Sequence, residues 1–156
     1  YTEDDTPNPL NYYGETKLES ENEVKNLTDY LICRTNLLYG YVSQTKLNKN
    51  NPIRIVDDQL SNPTLVDNLS KIIQSSLEKN LIGIFHTTDI SCISRFEFAK
   101  TIATKFGYSE SLISSISSKE LNQFATRPSK TCLDCSKIQK NNINLTTLDE
   151  SLEILF

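Results

Sequence analysis

Apolar positions along the chain recur with two different periods, and these predict a mixture of helices and strands. The nearly continuous apolar run at 30–38 (YLICRTNLL) is typical of a strand covered on both faces in a parallel sheet. Leucines and isoleucines at helical spacing predict a helix at about 65–77. Ser94 and Glu97 form a capping-box pattern at the start of a helix at 95–106. This order of elements predicts the α/β class.

Shorter elements complete the pattern. They are strands at Ile53–Val56, 83–87 and 112–116, a polar loop or frayed helix at 43–51, and helical pieces at 118–123, 136–140 and 148–155. A buried parallel strand requires parallel neighbours, and this chain supplies few of them. We therefore expect the chain to be structurally incomplete, with several βαβ units missing before it.

The first predicted helix, at 12–26, is unusually polar. Asn11 is suited to cap its start. Its few apolar or aromatic side chains are Tyr12, Tyr13, Leu18 and Val24. Apolar burial alone cannot hold so polar a helix on a core, and packing against a second copy of the chain, in a homodimer, is one hypothesis.

Composition and charge exclude several classes of binding partner. Hydrophobic residues make up 37% and charged residues 23% of the 156-residue chain, which is ordinary for a folded domain. The net charge of −4 is scattered, whereas nucleic-acid and anionic-membrane surfaces need clustered positive charge, so neither partner is expected. No apolar run approaches the roughly 20 residues that span a bilayer, and the first residues do not form a secretory signal. We expect a cytoplasmic protein.

The four cysteines predict neither a metal site nor a disulfide framework. Cys33 lies in an apolar run and is interpreted as a small buried hydrophobe. Cys132 and Cys135 form a single CxxC, and the one histidine, His86, is distant in sequence, so a tetrahedral zinc site lacks ligands. An even cysteine count, with Cys92 as the fourth, does not indicate disulfides in a chain of cytosolic character. His86 itself is interpreted as a packed strand residue.

The strongest chemical pattern is the pair Tyr13 and Lys17. Residues four apart on a helix lie on one face, about one turn apart. A phenol is a poor acid–base group at neutral pH, and a nearby ammonium favours its ionised form and would lower its pKa. Such a phenol can give a proton to a developing alkoxide while a cofactor delivers hydride. Taken alone, the spacing is a weak signal, and an ordinary surface pair explains it better.

The residues around this pair resemble the catalytic segment of extended short-chain dehydrogenases. In that segment, an acidic, proline-rich loop leads into P-x-N-x-Y-G-x-(T/S)-K-x-x-x-E, as in YTEDDTPNPLNYYGETKLESE here. Further matches follow in the order found in dTDP-4-dehydrorhamnose reductases. They are RTNLLYG, DDQLSNPT for DQ-x-G-x-PT, GIFHTT for G-x-Y-H, SRFEFAKTIATKFG for the E-F-A helix, ATRP for A-x-R-P and LDCSK for L-D-x-x-K. The resemblance covers nearly the whole chain.

The resemblance implies an NADPH-dependent (or NADH-dependent) reductase that acts on the 4-keto group of a dTDP-sugar, with a Rossmann-like fold and a small mixed substrate-binding lobe. Tyr13 would donate the proton to the keto oxygen. Lys17 would lower the Tyr13 pKa and bind the nicotinamide ribose. Thr35 and Asn36 would lie beside the cofactor.

The resemblance also implies a substrate site. Gln59 and Arg127 are the candidates for holding the nucleotide diphosphate, and the planar guanidinium of Arg127 suits phosphate. An ordinary loop salt bridge explains Arg127 equally well. Residues 1–42 would end the Rossmann-like domain, and residues 43–156 would form mainly the substrate-binding lobe.

The chain departs from the family pattern in three respects. The glycine-rich phosphate loop is absent, and so is the upstream Ser or Thr of the catalytic set. Leu37 stands where bacterial reductases often have Trp, and Ser61 replaces the glycine of DQ-x-G. We therefore expect the isolated piece to be inactive. The alternative is an NADP-binding partner module similar to the regulatory β subunit of methionine adenosyltransferase, and a small α/β domain with a chance Tyr–Lys pair is a third.

Overall fold

The structure is a computed structural model of the chain and describes residues 1–41, 52–121 and 123–155. The helices of this part are α1 (Tyr12–Lys25), α2 (Val66–Glu78), α3 (Arg95–Lys105), α4 (Ser136–Gln139) and α5 (Leu148–Ile154). The strands are β1 (Leu31–Arg34), β2 (Leu38–Tyr39), β3 (Ile53–Val56), β4 (Leu60–Ser61), β5 (Thr64–Leu65), β6 (Gly83–His86), β7 (Ile93–Ser94) and β8 (Ile113–Ile116). No helix in these ranges is long and apolar enough to cross a membrane.

The strands form four two-stranded sheets. β1 and β6 run parallel, with Leu31 opposite Gly83 and Arg34 opposite His86. β2 pairs with β5 and β3 with β8, both parallel, whereas β4 and β7 are antiparallel. The prediction of a parallel strand in the first apolar run is confirmed.

The first apolar run differs from its prediction in two ways. It contains two strands rather than one, because Leu37 has a φ of 22° and turns the chain between β1 and β2. All four residues of β1 are only partly buried, so the expectation of a strand covered on both faces is wrong within the described residues. Within the described residues, β1 pairs with one strand only, β6.

The apolar core lies between α2, β6 and the segment that contains α4. Its buried members are Ile72, Phe85, Cys135, Ile138 and Ile143, with Leu31, Leu81 and Leu145 packed against them. Ile138 has no exposed surface, and full burial of such a side chain contributes roughly 1.5–3 kcal/mol. The LDCSK segment therefore acts as packing, as its sequence indicates.

Local capping patterns fix several helix starts. Ser94 accepts a hydrogen bond from the backbone N–H of Glu97, and the Glu97 carboxylate accepts one from the backbone N–H of Ser94, at 3.1 and 2.9 Å. This confirms the predicted capping box. Asn11 caps α1 as predicted, through its Oδ1 and the backbone N–H of Gly14 at 2.9 Å.

The proposed division of the chain near residue 42 stays a prediction. Its two parts share a sheet, because β6 of the later part pairs with β1 of the earlier part. The loop or frayed helix expected at 43–51 lies outside the described residues. The helix expected at 118–123 is a single turn of 3₁₀-helix, at Ser118–Glu120, with Asn122 outside the described residues.

The described residues contain a disulfide that the sequence did not indicate. Cys92 and Cys132 are joined, with their Cα atoms 5.6 Å apart. Cys135 is free and buried in the core, and Cys33 is free and half-buried. The CxxC pair is thus divided between two roles, because the fold brings Cys92 next to Cys132 across 40 residues of sequence.

Candidate active site

Tyr13 and Lys17 lie in the first turns of α1 on its open side. Tyr13 is 73% exposed, and Lys17 is exposed as well. One helical turn separates them. Both groups are free to meet a ligand that approaches this side of α1.

A bidentate ion pair fixes α1 on β1. Nε and an Nη of Arg34 donate to the two carboxylate oxygens of Glu21, at 2.8 and 2.7 Å, and each side chain is 19% exposed. Hydrogen bonding to Arg34 lowers the pKa of Glu21, and hydrogen bonding to Glu21 raises the pKa of Arg34. Sequence analysis assigned no role to either side chain, although Glu21 ends the K-x-x-x-E pattern and Arg34 begins RTNLLYG.

The same ion pair sets the position of Tyr13 relative to the sheet. Glu21 is eight residues after Tyr13, or about 12 Å along the helix axis, and it meets Arg34 at the carboxyl end of β1. A short connection joins the end of α1 to the start of β1, so helix and strand run in opposite directions. Tyr13 therefore lies beyond the carboxyl end of β1, the end at which α/β sheets bind ligands.

Thr35 and Asn36 follow β1 at this same end. Thr35 is exposed. The Asn36 side chain donates to the Thr131 carbonyl at 2.7 Å and accepts from the backbone N–H of Asn62 at 3.1 Å. Asn36 thus joins three segments of the chain, whereas Thr35 has an exposed side chain.

Asn11 connects the start of α1 to the loop that carries Arg127. Its Oδ1 caps the helix, and its Nδ2 donates to the Thr126 carbonyl at 2.7 Å, across 115 residues of sequence. The predicted catalytic pair and the predicted phosphate-binding loop are therefore tied together by one side chain. The sequence indicated the cap but not the second bond.

Gln59 and Arg127 both approach a residue that sequence analysis did not select, Arg95. The Gln59 carbonyl accepts from the backbone N–H of Arg95 at 3.2 Å, and Gln59 is buried. Arg95 and Arg127 line one open cleft of about 390 Å³ together with Gln123, Phe124 and Ala125. Burial, and then the nearby charge of Arg127, lower the pKa of Arg95.

Two further polar residues of the motifs have structural roles. His86 is buried as predicted, with Nδ1 2.9 Å from the Asp134 carbonyl and its backbone N–H donating to Glu3. Asp58 accepts hydrogen bonds from the Ser117 hydroxyl and from the backbone N–H and hydroxyl of Ser118. These contacts, above all the backbone N–H of Ser118, lower the pKa of Asp58.

A buried carboxylate behind the site was not anticipated. Asp89 accepts hydrogen bonds from the Thr146 and Ser151 hydroxyls, at 2.8 and 2.6 Å, and from the Asn68 amide at 3.4 Å. Burial raises the pKa of the nearby Tyr39 to about 12. This network satisfies buried polar groups and stiffens the lobe.

Among the described residues, no group of three or more His, Cys, Asp or Glu side chains could hold a metal ion.

The fold is that of an extended short-chain dehydrogenase with a Rossmann-like α/β architecture. The structure superposes on dTDP-4-dehydrorhamnose reductase from Bacillus anthracis in complex with NADP with a TM-score of 0.90 and 29% identity, over 100% of this chain and 58% of that one. A model of the RmlD substrate binding domain matches residues 1–156, and the chain belongs to this family.

Two relatives of this chain differ from each other in function. dTDP-4-dehydrorhamnose reductase of Aggregatibacter actinomycetemcomitans is 30% identical over 90% of this chain and 54% of its own length. Methionine adenosyltransferase 2 subunit beta of Rattus norvegicus is 31% identical over 94% of this chain and 49% of its own length. The chain spans about half the length of the curated relatives that it matches.

Proposed function

We propose that this chain contributes the catalytic helix and the substrate-binding lobe of an NADPH-dependent reductase. Its substrate would be the dTDP-sugar dTDP-4-dehydro-L-rhamnose, whose 4-keto group it would reduce. The product would be dTDP-L-rhamnose. The observation that carries the proposal is the Asn11 bridge, which places the helix of Tyr13 and Lys17 against the loop of Arg127. In a reductase of this class, the Tyr–Lys pair and the phosphate-binding arginine must contact the same bound substrate.

The available side chains suit a nicotinamide cofactor. Tyr13, Lys17 and Thr35 are exposed at or beyond the carboxyl end of β1, where they offer hydroxyl and ammonium groups to a ribose. When bound, NADPH supplies the hydride. The Lys17 ammonium would bind the nicotinamide ribose.

Tyr13 would act as the general acid. As the C4 carbonyl of the sugar becomes an alkoxide, the Tyr13 hydroxyl donates a proton to its oxygen. Glu21 and Arg34 act through position alone, because they fix α1 against β1. Gln59 and Arg127 would hold the diphosphate, with the Arg127 fork making charge-assisted hydrogen bonds to phosphate oxygens.

The test is NADPH oxidation by the full-length protein that carries these residues, with dTDP-4-dehydro-L-rhamnose as substrate. Tyr12 provides a matched control, because it is the neighbouring tyrosine on α1 and is 79% exposed. Tyr13→Phe should lower kcat by about 10²- to 10⁴-fold, whereas Tyr12→Phe should change it little. Equal activity of the two variants would contradict the role of Tyr13.

The second candidate is an NADP-binding partner module, which the rat relative favours. On this hypothesis, the wild-type full-length protein binds NADPH but does not oxidise it with the dTDP-sugar. It would instead form a complex with a methionine adenosyltransferase catalytic subunit. Calorimetric titration with NADPH, followed by the turnover assay, separates the two functions.

A further inference from the structure

The cleft beside the Arg127 loop contains two guanidinium groups and an aromatic ring. Arg95 is the first residue of α3, and Arg127 and Phe124 lie on the loop opposite it. Phe124 is fully exposed, with a relative accessibility of 112%. Its ring is therefore not packed against the described part of the chain.

Neither guanidinium is neutralised by the protein. The ion pairs within the described ranges involve other residues and include neither Arg95 nor Arg127. Arg95 is partly buried, and a partly buried charge without a counter-charge is destabilising. An anion in the cleft would relieve this repulsion.

The shape and chemistry of the cleft suit a nucleoside diphosphate. The cleft is open to solvent and has a volume of about 390 Å³. Two guanidinium forks can engage adjacent phosphate groups in bidentate fashion. An exposed phenyl ring provides a face on which a nucleobase can stack.

We infer that Arg95 binds the diphosphate of the substrate together with Arg127, and that Phe124 stacks on its nucleobase. The inference rests on the proposed function and extends it, because it assigns two residues to the nucleotide end of the substrate. The backbone hydrogen bond between Arg95 and Gln59 places the start of α3 next to the buried Gln59. From there, the Asn11 bridge leads to Tyr13 at the sugar end.

The test is calorimetric binding of dTDP, and separately of inorganic pyrophosphate, to the full-length protein. Arg95→Gln should weaken both ligands by roughly tenfold or more. Phe124→Ala should weaken dTDP by roughly tenfold and leave pyrophosphate unchanged. Arg54→Gln is the matched control, because Arg54 is exposed and pairs with Glu120 outside the cleft.

Measurements of the unfolding midpoint and of NADPH affinity distinguish a loss of dTDP binding from a loss of folding. Each variant should keep the wild-type NADPH affinity and an unfolding midpoint no lower than that of the wild type, and Arg95→Lys should recover part of the pyrophosphate affinity because it restores the charge without the fork. Wild-type dTDP affinity in Arg95→Gln would overturn the inference, as would equal losses of dTDP and pyrophosphate in Phe124→Ala. Tight, Arg95-dependent dTDP binding without NADPH oxidation would support this cleft while contradicting the reductase.

Discussion

Helix α1 and the lobe around α4 are held in place by different forces. Within the described part of the chain, α1 has no buried residue, and directional polar contacts, namely the Asn11 bridge and the Glu21–Arg34 pair, attach it to the rest. The lobe is held by an apolar cluster around Ile138 and by a disulfide. Apolar contacts tolerate small shifts, whereas charge-assisted hydrogen bonds fix distance and angle. The helix that we propose to be catalytic is thus the one with the more directional attachment.

The largest loss of stability is expected from the apolar side of this comparison. Ile138→Ala removes a side chain with no exposed surface, and such a truncation costs about 2–5 kcal/mol because it leaves a cavity. Urea unfolding of this variant should show that loss in the free energy of unfolding. Ile82→Ala is the control, because Ile82 is 57% exposed and should change stability by less than about 0.5 kcal/mol.

The disulfide should contribute the next largest amount. Cys92–Cys132 closes a loop of 40 residues in sequence, and a disulfide of this kind stabilises by about 2–4 kcal/mol. Unfolding in the presence and absence of dithiothreitol should differ by this amount. The double variant Cys92→Ala/Cys132→Ala should be insensitive to dithiothreitol, and persistent sensitivity would show that another cysteine is involved.

A substitution at Asn11 can separate its cap on α1 from its hydrogen bond to the Arg127 loop. Asn11→Asp keeps an oxygen that caps α1 but removes the amide that donates to Thr126. Stability should change by less than about 1 kcal/mol, while KM for the dTDP-sugar rises severalfold because the Arg127 loop is released. Unfolding and steady-state kinetics measure the two effects, and an unchanged KM would show that the bridge does not position the loop.

The smallest expected effect is a pH dependence from His86, the one histidine of the chain. Burial lowers the pKa of His86 below its ordinary value of 6.5. As the pH falls through 6.5, the unfolded chain binds a proton at His86 before the folded chain does, which favours unfolding. The free energy of unfolding is therefore unaffected by His86 above pH 6.5 and decreases toward lower pH. Unfolding at pH 8 to 5.5 should show a decline of at most about 1.4 kcal/mol per pH unit from this group. Increasing stability toward pH 5.5 would contradict the buried neutral state.

Features that depend on neighbouring residues could be predicted from the sequence. The Ser94–Glu97 capping box, the Asn11 cap and the boundaries of α2 follow from local patterns, and the structure confirms them. The ordered motifs led to the correct family because each matches a local segment. The roles assigned to Tyr13 and Lys17 stay predictions.

Features that depend on distant residues could not be predicted in the same way. The Cys92–Cys132 bond, the second bond of Asn11 and the meeting of Arg95 with Arg127 each join segments that only the fold brings together. The turn at Leu37 was missed for another reason, since a leucine gives no signal of a positive φ.

The comparison between α1 and the lobe is tested most directly by measuring kcat/KM and the free energy of unfolding together for two variants of the full-length protein, Glu21→Gln and Ile138→Ala. Glu21→Gln should lower kcat/KM by tenfold or more, because small displacements of catalytic groups are costly, and lower stability by only about 1–2 kcal/mol. Ile138→Ala should do the reverse, with a large loss of stability and nearly normal kcat/KM in the folded fraction. If Glu21→Gln retains full kcat/KM, the ion pair does not position the catalytic helix and the account is wrong.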